Sequence, residues 1–114
     1  MDSNTTIRAL AALAQEHRLA AFRLLVQAGE AGLSAGSISE AVGAPASSMS
    51  FHLAQLSHAG LIRQKRQSRS LIYSVDYTTM GDLMAYLTEN CCSGQGCVPA
   101  LGCEPQNTDE RNAA

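Results

Sequence analysis

The sequence predicts a mostly α-helical domain that carries one β-hairpin, and two features of its 114 residues indicate this fold class. Hydrophobic residues make up 46% of the chain but aromatic residues only 4%, so the core is aliphatic and rich in helix formers. Apolar residues recur at helical spacing except in residues 61–75, whose apolar residues are Ile, Leu, Tyr and Val. Because so small a core is marginal for one domain, we expect two copies to associate through helices.

Helical segments are predicted in the first third of the chain. Polar residues Ser3–Thr6 offer helix caps, and an apolar helical pattern begins at Ile7. A second apolar segment ends at Gly29, a typical helix stop. Periodicity leaves open whether the helix is broken near Glu16.

Two short helices joined by a tight turn follow. Ser34 is expected to cap the first, which ends at Gly43. The second is predicted over Pro45–Ala59, with the proline in its first turn, where no N–H partner is lost. The buried stripe of the second helix is predicted to be Met49, Leu53 and Leu56. This pair is typical of a helix-turn-helix.

Residues 61–67 and 70–75 are predicted to form the hairpin, with its turn at Gln67-Ser68-Arg69. A hairpin directly after a helix-turn-helix is a wing, so the complete prediction is a winged helix-turn-helix, mostly α with a β-hairpin wing. A last helix is predicted over residues 78–90. We expect one domain over residues 1–92 and a flexible, cysteine-containing tail over residues 93–114.

The last helix has an apolar stripe that is large for so small a core. The stripe consists of Met80, Leu83, Met84 and Leu87. Burial against a second copy of the chain would remove it from water, which predicts a homodimer. Packing within the same chain is the alternative.

The formal net charge is −2, but the charges are unevenly distributed. Residues 41–75 contain no Asp or Glu and carry Arg63, Lys65, Arg66 and Arg69. A local positive charge on an acidic protein predicts one DNA-facing surface. An ordinary solvated hairpin is the alternative.

Nine residues are candidates for DNA contact: Ser47, Ser48, Ser50, Phe51, His52, Gln55, Lys65, Arg66 and Arg69. Short polar side chains let a helix approach base edges in the major groove, and wing-tip arginines can reach phosphates or the minor groove. Phe51 lies opposite the buried stripe, where it would contact a thymine methyl group or pack under the wing. His52 is either a phosphate contact or a structural histidine.

The four cysteines fall within thirteen residues, at Cys91, Cys92, Cys97 and Cys103. The chain shows no signal-peptide pattern and no apolar stretch long enough to span a membrane, so we expect a reducing cytoplasm and thiolates rather than disulfides. The spacing is a poor match to the paired cysteines of zinc sites. It suits a soft, three-coordinate ion such as trivalent arsenic or antimony.

We predict Cys91, Cys92 and Cys97 as the ligands, and we do not include Cys103 among them. On a continued last helix, Cys91 would share the apolar stripe, so ligand binding would act on the dimer interface. A site for methylarsenite, which needs two thiolates, stays open.

The motifs also resemble those of a known family. The runs Ile38-Ser39-Glu40-Ala41-Val42-Gly43, Ser47-Ser48-Met49-Ser50-Phe51-His52-Leu53 and Leu56-Ser57-His58-Ala59-Gly60-Leu61-Ile62 are similar to the ArsR/SmtB family of arsenic- and metal-responsive repressors. Residues 86–92 followed by Cys97 resemble its arsenic-responsive members with a C-terminal cysteine site. The resemblance spans about residues 7–97, and it departs from the family at Pro45.

This resemblance implies a homodimer joined through its first and last helices that binds a double-stranded DNA operator, an imperfect inverted repeat. It implies a repressor of an arsenic-resistance operon that arsenite, antimonite or methylarsenite releases. The sequence contains no constellation typical of an enzyme. A thiol-redox repressor and a metal-carrying protein without a DNA role are the alternatives.

Overall fold

The computed structural model describes residues 1–91, which form five α-helices and a three-stranded antiparallel sheet. The elements are α1 (Ser3–Leu13), α2 (Glu16–Ala28), a 3₁₀ helix (Gly29–Ala31), β1 (Leu33–Ser34), α3 (Ala35–Val42), α4 (Ala46–His58), β2 (Ile62–Gln67), β3 (Ser70–Val75) and α5 (Tyr77–Leu87). The mostly helical fold with a β-hairpin wing is therefore confirmed.

The N-terminal region forms two helices rather than one. The cap of α1 is Asp2, whose carboxylate accepts from the Thr5 N–H at 2.8 Å, so the prediction that residues 3–6 supply the cap was wrong by one residue. The break left open near Glu16 falls just before it, where the Gln15 side chain caps α2 by accepting from the Arg18 N–H. The break lets α2 pack against α1 and also contact α3, α4 and β3.

The helix-turn-helix pair is α3 and α4. Ser34 caps α3 as predicted, and Gly43 ends it with φ +82°. The turn is fastened by the Ser39 hydroxyl, which donates to the Ala44 carbonyl oxygen at 2.6 Å. Pro45 is the residue before α4 rather than part of its first turn, as its ψ of 148° is extended. These contacts fix the direction in which α4 leaves the turn.

The wing is the hairpin of β2 and β3, with bounds that agree with the prediction to within one residue. Its register pairs Ile62 with Val75 and Gln67 with Ser70. The sequence did not predict β1, which pairs Leu33 with Tyr73 along the other edge of β3. Because β1 directly precedes α3, this pairing joins the base of the wing to the helix-turn-helix.

The last helix is shorter than predicted. Asp76 caps α5, and the Tyr77 hydroxyl donates to the Val26 carbonyl oxygen of α2 at 3.1 Å. The helix ends at Leu87 instead of continuing to Asn90, which has φ +58°. The continued helix that would have placed Cys91 on the apolar stripe is therefore not formed, because the left-handed backbone at Asn90 interrupts it before Cys91.

The core lies where α1, α2, α3, α4 and the base of the wing meet. Its fully buried large side chains are Leu25, Ile38, Met49, Leu53, Leu56, Leu61 and Val75. All three residues of the predicted buried stripe of α4 belong to this set, so one side of α4 is fixed by the core and the other faces outward.

Candidate nucleic-acid interface

The outward side of α4 forms a continuous exposed surface. It consists of Ala46, Ser47, Ser50, Phe51, Ala54 and His58. Small and polar side chains dominate, and no acidic residue occurs in the helix. A helix with this surface can lie close to the base edges of a major groove, since no negatively charged group repels the DNA.

Phe51 does not pack under the wing. Its side chain is 57% exposed, and it is not among the α4 residues that line a cleft with Gln64 and Tyr73 of the wing, which are Ser50, Ala54, Ser57 and His58. Of the two alternatives for Phe51, packing under the wing is thus excluded, and the ring stands on the outward surface.

The remaining polar candidates on α4 differ in their exposure and in their contacts within the protein. Ser47 and Ser50 are exposed. Ser48 is half-buried, and its hydroxyl donates to the Pro45 carbonyl oxygen at 3.3 Å. Gln55 is half-buried beside Arg18 and His58 in a hollow between α1, α2 and α4. Ser47 and Ser50 are the better placed of these four for DNA.

His52 is turned away from the outward surface, where a DNA contact would need it to be. It is only 8% exposed, and its Nδ1 lies 3.4 Å from Arg18 Nη1. Burial, the Arg18 guanidinium and His17 together lower the pKa of His52, so the ring is held neutral. The structure therefore favours the alternative of a structural histidine.

The wing presents its cations in more than one direction. Because side chains alternate along a strand, Arg63 and Lys65 share one face of β2 while Gln64 and Arg66 share the other. Glu30 lies beside Arg63 and Lys65 in a hollow at the base of the wing. Arg66 and Arg69 are exposed at or near the tip, with Arg69 in the turn itself. These two arginines are best placed to reach a DNA backbone.

The cleft between α4 and the wing was missed by the residue-by-residue prediction. On its wing side lie Gln64 and Tyr73, which are directly paired across β2 and β3. A two-residue turn at Ser68-Arg69 fixes the strand register and therefore pairs Gln64 with Tyr73. The position of the turn in the sequence could thus have predicted this pair.

The candidate thiolate ligands lie at and beyond the end of the described chain. Cys91 is half-buried, and its N–H donates to the Thr88 carbonyl oxygen at 2.9 Å. Cys92 and Cys97 lie outside the described residues, as does the proposed tail over residues 93–114. Within residues 1–91 there is no group of three or more His, Cys, Asp or Glu side chains that could hold a metal ion.

Helices α1 and α5 pack against each other and leave apolar side chains in solvent. Exposed ones are Ile7 and Leu10 on α1 and Met84 and Leu87 on α5. The predicted stripe of α5 is divided, because Leu83 is buried in the chain's own core and Met80 packs against it. Intrachain packing thus accounts for half of the stripe and leaves Met84 and Leu87 uncovered.

Comparison with known proteins agrees with this geometry. Residues 13–65 match a family described as a helix-turn-helix domain. No curated protein matches the chain by sequence. In the part of the chain that the structure describes, no helix is both long enough and apolar enough to cross a bilayer.

Several solved structures share the fold. An ArsR-like transcriptional regulator from Rhodococcus superposes with a TM-score of 0.66 at 23% identity, over 76% of this chain and 78% of that one. The homodimeric winged helix-turn-helix DNA-binding domain of a possible ArsR-family regulator from Mycobacterium bovis gives 0.60 at 24% identity, over 76% and 81%. A predicted DNA-binding transcriptional regulator from E. coli gives 0.55 at 30% identity, over 69% and 81%.

The fold, the exposed helix α4 and the helix-turn-helix match together define a class. The chain belongs to the winged helix-turn-helix DNA-binding transcriptional regulators, which are not enzymes.

Proposed function

We propose that this chain is an ArsR/SmtB-type repressor of an arsenic-resistance operon, which acts as a cytoplasmic homodimer and leaves its operator when trivalent arsenic binds cysteine thiolates. The observation that carries the DNA-binding half is the acid-free outward surface of α4 beside the exposed Arg66 and Arg69 of the wing. In this arrangement α4 reads base edges through Ser47, Ser50 and Phe51, and the wing arginines hold the DNA backbone.

Dimerisation is supported by the exposed apolar side chains of α1 and α5. Ile7 and Leu87 are 59% and 56% exposed, and exposed large apolar side chains on neighbouring helices are typical of an interaction surface. The Mycobacterium bovis domain with the same fold is homodimeric. A two-fold dimer presents two copies of α4, which matches an inverted-repeat operator.

The inducer is proposed from the chemistry of the donor set. Sulfur is a soft ligand that suits trivalent arsenic or antimony, and Cys91, Cys92 and Cys97 would supply three thiolates directly after α5. A bound ion would link the end of α5 to the chain that follows it. Because α5 packs against α1, a change at this point can alter the way the two subunits meet, and with it the spacing of the two α4 helices.

The decisive experiment measures operator release. An operator is selected by the parent protein from random duplexes, and its affinity is followed by fluorescence anisotropy with arsenite, antimonite, methylarsenite or peroxide. We expect arsenite to weaken binding by about a hundredfold, which is within ordinary allosteric coupling. The Cys91→Ser, Cys92→Ser and Cys97→Ser variants should keep the operator and lose the response, and Cys103→Ser serves as the matched control.

Each other outcome changes the proposal in a defined way. Release by peroxide alone would replace arsenic sensing by thiol-redox sensing. Release by methylarsenite in a Cys97→Ser variant would identify a two-thiolate site. Full release of a variant without cysteines by arsenite would reject the proposed inducer site, and absence of any selected duplex would reject the DNA-binding function itself.

A further inference from the structure

We propose that the cleft between α4 and the wing seats the DNA phosphate backbone that separates the major groove from the adjacent minor groove, and that Gln64 and Tyr73 hold it through uncharged hydrogen bonds. The cleft, called the α4–wing cleft below, is lined by Ser50, Ala54, Ser57, His58, Gln64 and Tyr73. The inference rests on the proposed DNA binding and adds contacts that the sequence did not predict.

The cleft has a defined shape because both of its walls are fixed. On one side, α4 is anchored by Met49, Leu53 and Leu56 in the core. On the other side, Gln64 and Tyr73 are direct cross-strand neighbours on one face of the wing. The space between the walls is about 230 Å³, enough for a phosphate group and its first hydrogen-bond partners.

The position of the cleft follows from the geometry of a DNA duplex. A single sugar–phosphate backbone separates a major groove from the neighbouring minor groove. If α4 lies in the major groove and Arg69 at the wing tip reaches the minor groove, that backbone must cross between α4 and the wing. The α4–wing cleft is the space that it would cross.

The chemistry of the lining suits such a backbone. No acidic side chain lines the cleft, and its lining residues include Gln64, Tyr73, Ser50 and Ser57, which carry an amide and three hydroxyl groups. Glutamine, tyrosine and serine are regular donors to DNA phosphates. The cations Arg63 and Lys65 lie on the other face of the wing, and Arg66, which shares the face of Gln64, does not line the cleft. Contacts in the cleft therefore release few counterions, so they raise affinity for any sequence without adding much salt dependence.

Point variants test the proposal directly. Tyr73→Phe keeps the ring that packs against the core and removes only the hydroxyl. We expect it to weaken binding to selected and random duplexes alike by roughly fivefold, with an unchanged slope of log affinity against log salt. Gln64→Glu should weaken binding by more than about tenfold, since it places a carboxylate against a phosphate. Gln27→Glu, an exposed position on α2, is the control of equal charge change.

A chemical probe of the DNA gives an independent readout. Single phosphates of the selected operator are replaced by neutral methylphosphonates, and each substitution is measured with the parent and with Tyr73→Phe. We expect one phosphate in each half-site whose replacement weakens the parent but affects Tyr73→Phe less, because the variant has already lost the contact.

The results distinguish failure of the cleft inference from failure of the proposed DNA binding. If Tyr73→Phe and Gln64→Glu bind as the parent does while Arg69→Ala weakens binding, the cleft inference is overturned and DNA binding stands. If the losses occur only with the selected operator, the cleft reads bases rather than a backbone, which also overturns it. If the parent binds no duplex, both the proposed function and the inference fail.

Discussion

Arg18 of α2 joins two other helices through one guanidinium group. Its Nε donates to the Ala12 carbonyl oxygen of α1 at 2.6 Å, and its Nη1 lies 3.4 Å from His52 Nδ1 on the buried side of α4. Because a guanidinium can only donate, Nδ1 must accept, which places the proton of the neutral ring on Nε2. The contact fastens the DNA-facing helix to the helices behind it, provided His52 stays neutral.

This contact makes stability dependent on pH. The pKa of His52 is lowered by burial first, then by Arg18 and His17, from its ordinary value of 6.5. Below pH 6.5 the unfolded chain therefore binds a proton that the folded chain resists, so stability is lost as pH falls and levels off below the folded pKa. His52→Asn offers Oδ1 as an acceptor near the position of Nδ1 and does not titrate.

Denaturant unfolding at a series of pH values checks this prediction. The parent should lose more stability than His52→Asn between pH 7 and pH 5, and the comparison cancels the titration of groups common to both proteins. Equal pH dependence in the two proteins would show that His52 does not titrate differently in the folded chain.

Removal of the Arg18 guanidinium should lower the free energy of unfolding, because it removes the contacts to Ala12 and His52. Arg18→Met keeps the apolar stem and leaves the Ala12 carbonyl oxygen without this donor, for an expected loss of about 1–3 kcal/mol of unfolding free energy. Arg23→Met, at an exposed position of α2, should change stability by less than about 0.5 kcal/mol. Arg18→Met should also reduce the pH dependence, since it removes one cause of the lowered His52 pKa. Equal stability of the two variants would argue against a stabilising role for the Arg18 contacts.

Gly29 and Gly32 have the same backbone conformation but different surroundings. Substitution of each by alanine therefore distinguishes the cost of backbone strain from the cost of a steric clash. Gly29 and Gly32 have φ of +75° and +69° with extended ψ, a region that is essentially restricted to glycine. An added Cβ meets nothing within 4 Å at Gly29, but at Gly32 it would collide with the Tyr73 carbonyl oxygen and lie 2.9 Å from Ile72 Cγ2.

Gly29→Ala should therefore cost about 1–3 kcal/mol, the strain alone, and Gly32→Ala distinctly more. Chemical denaturation of both variants measures the difference. Similar losses would mean that β3 can move away from β1 without cost, contrary to the tight approach at Gly32.

The sequence predicted the elements that have strong local patterns. The wing was located to within one residue because Ile62 and the run Leu71-Ile72-Tyr73 flank the polar turn at Ser68-Arg69. By contrast, β1 has only two residues and exists through its pairing with Tyr73 and Ile72, a contact about 40 positions away that no local pattern records.

The position of His52 and the end of α5 each have a signal in the sequence. His52 lies three residues after Met49 and four before Leu56, so helical phase places it with the buried stripe and favours the structural histidine over the phosphate contact. Asn90 is a residue type that tolerates a left-handed backbone, which explains why the chain turns there rather than continuing α5 to Cys91.

The exposed apolar side chains of α1 and α5 lead to a prediction about assembly. If Ile7 and Leu87 are buried between two subunits, a carboxylate at either position must be desolvated in the dimer but not in the monomer. Ile7→Glu and Leu87→Glu should therefore weaken dimerisation by at least about tenfold, as measured by sedimentation at several concentrations. Leu19→Glu on α2 makes the same kind of substitution at an exposed position, 46% accessible, outside those two helices. It should leave the dimer intact, and equal effects of all three substitutions would place the interface elsewhere.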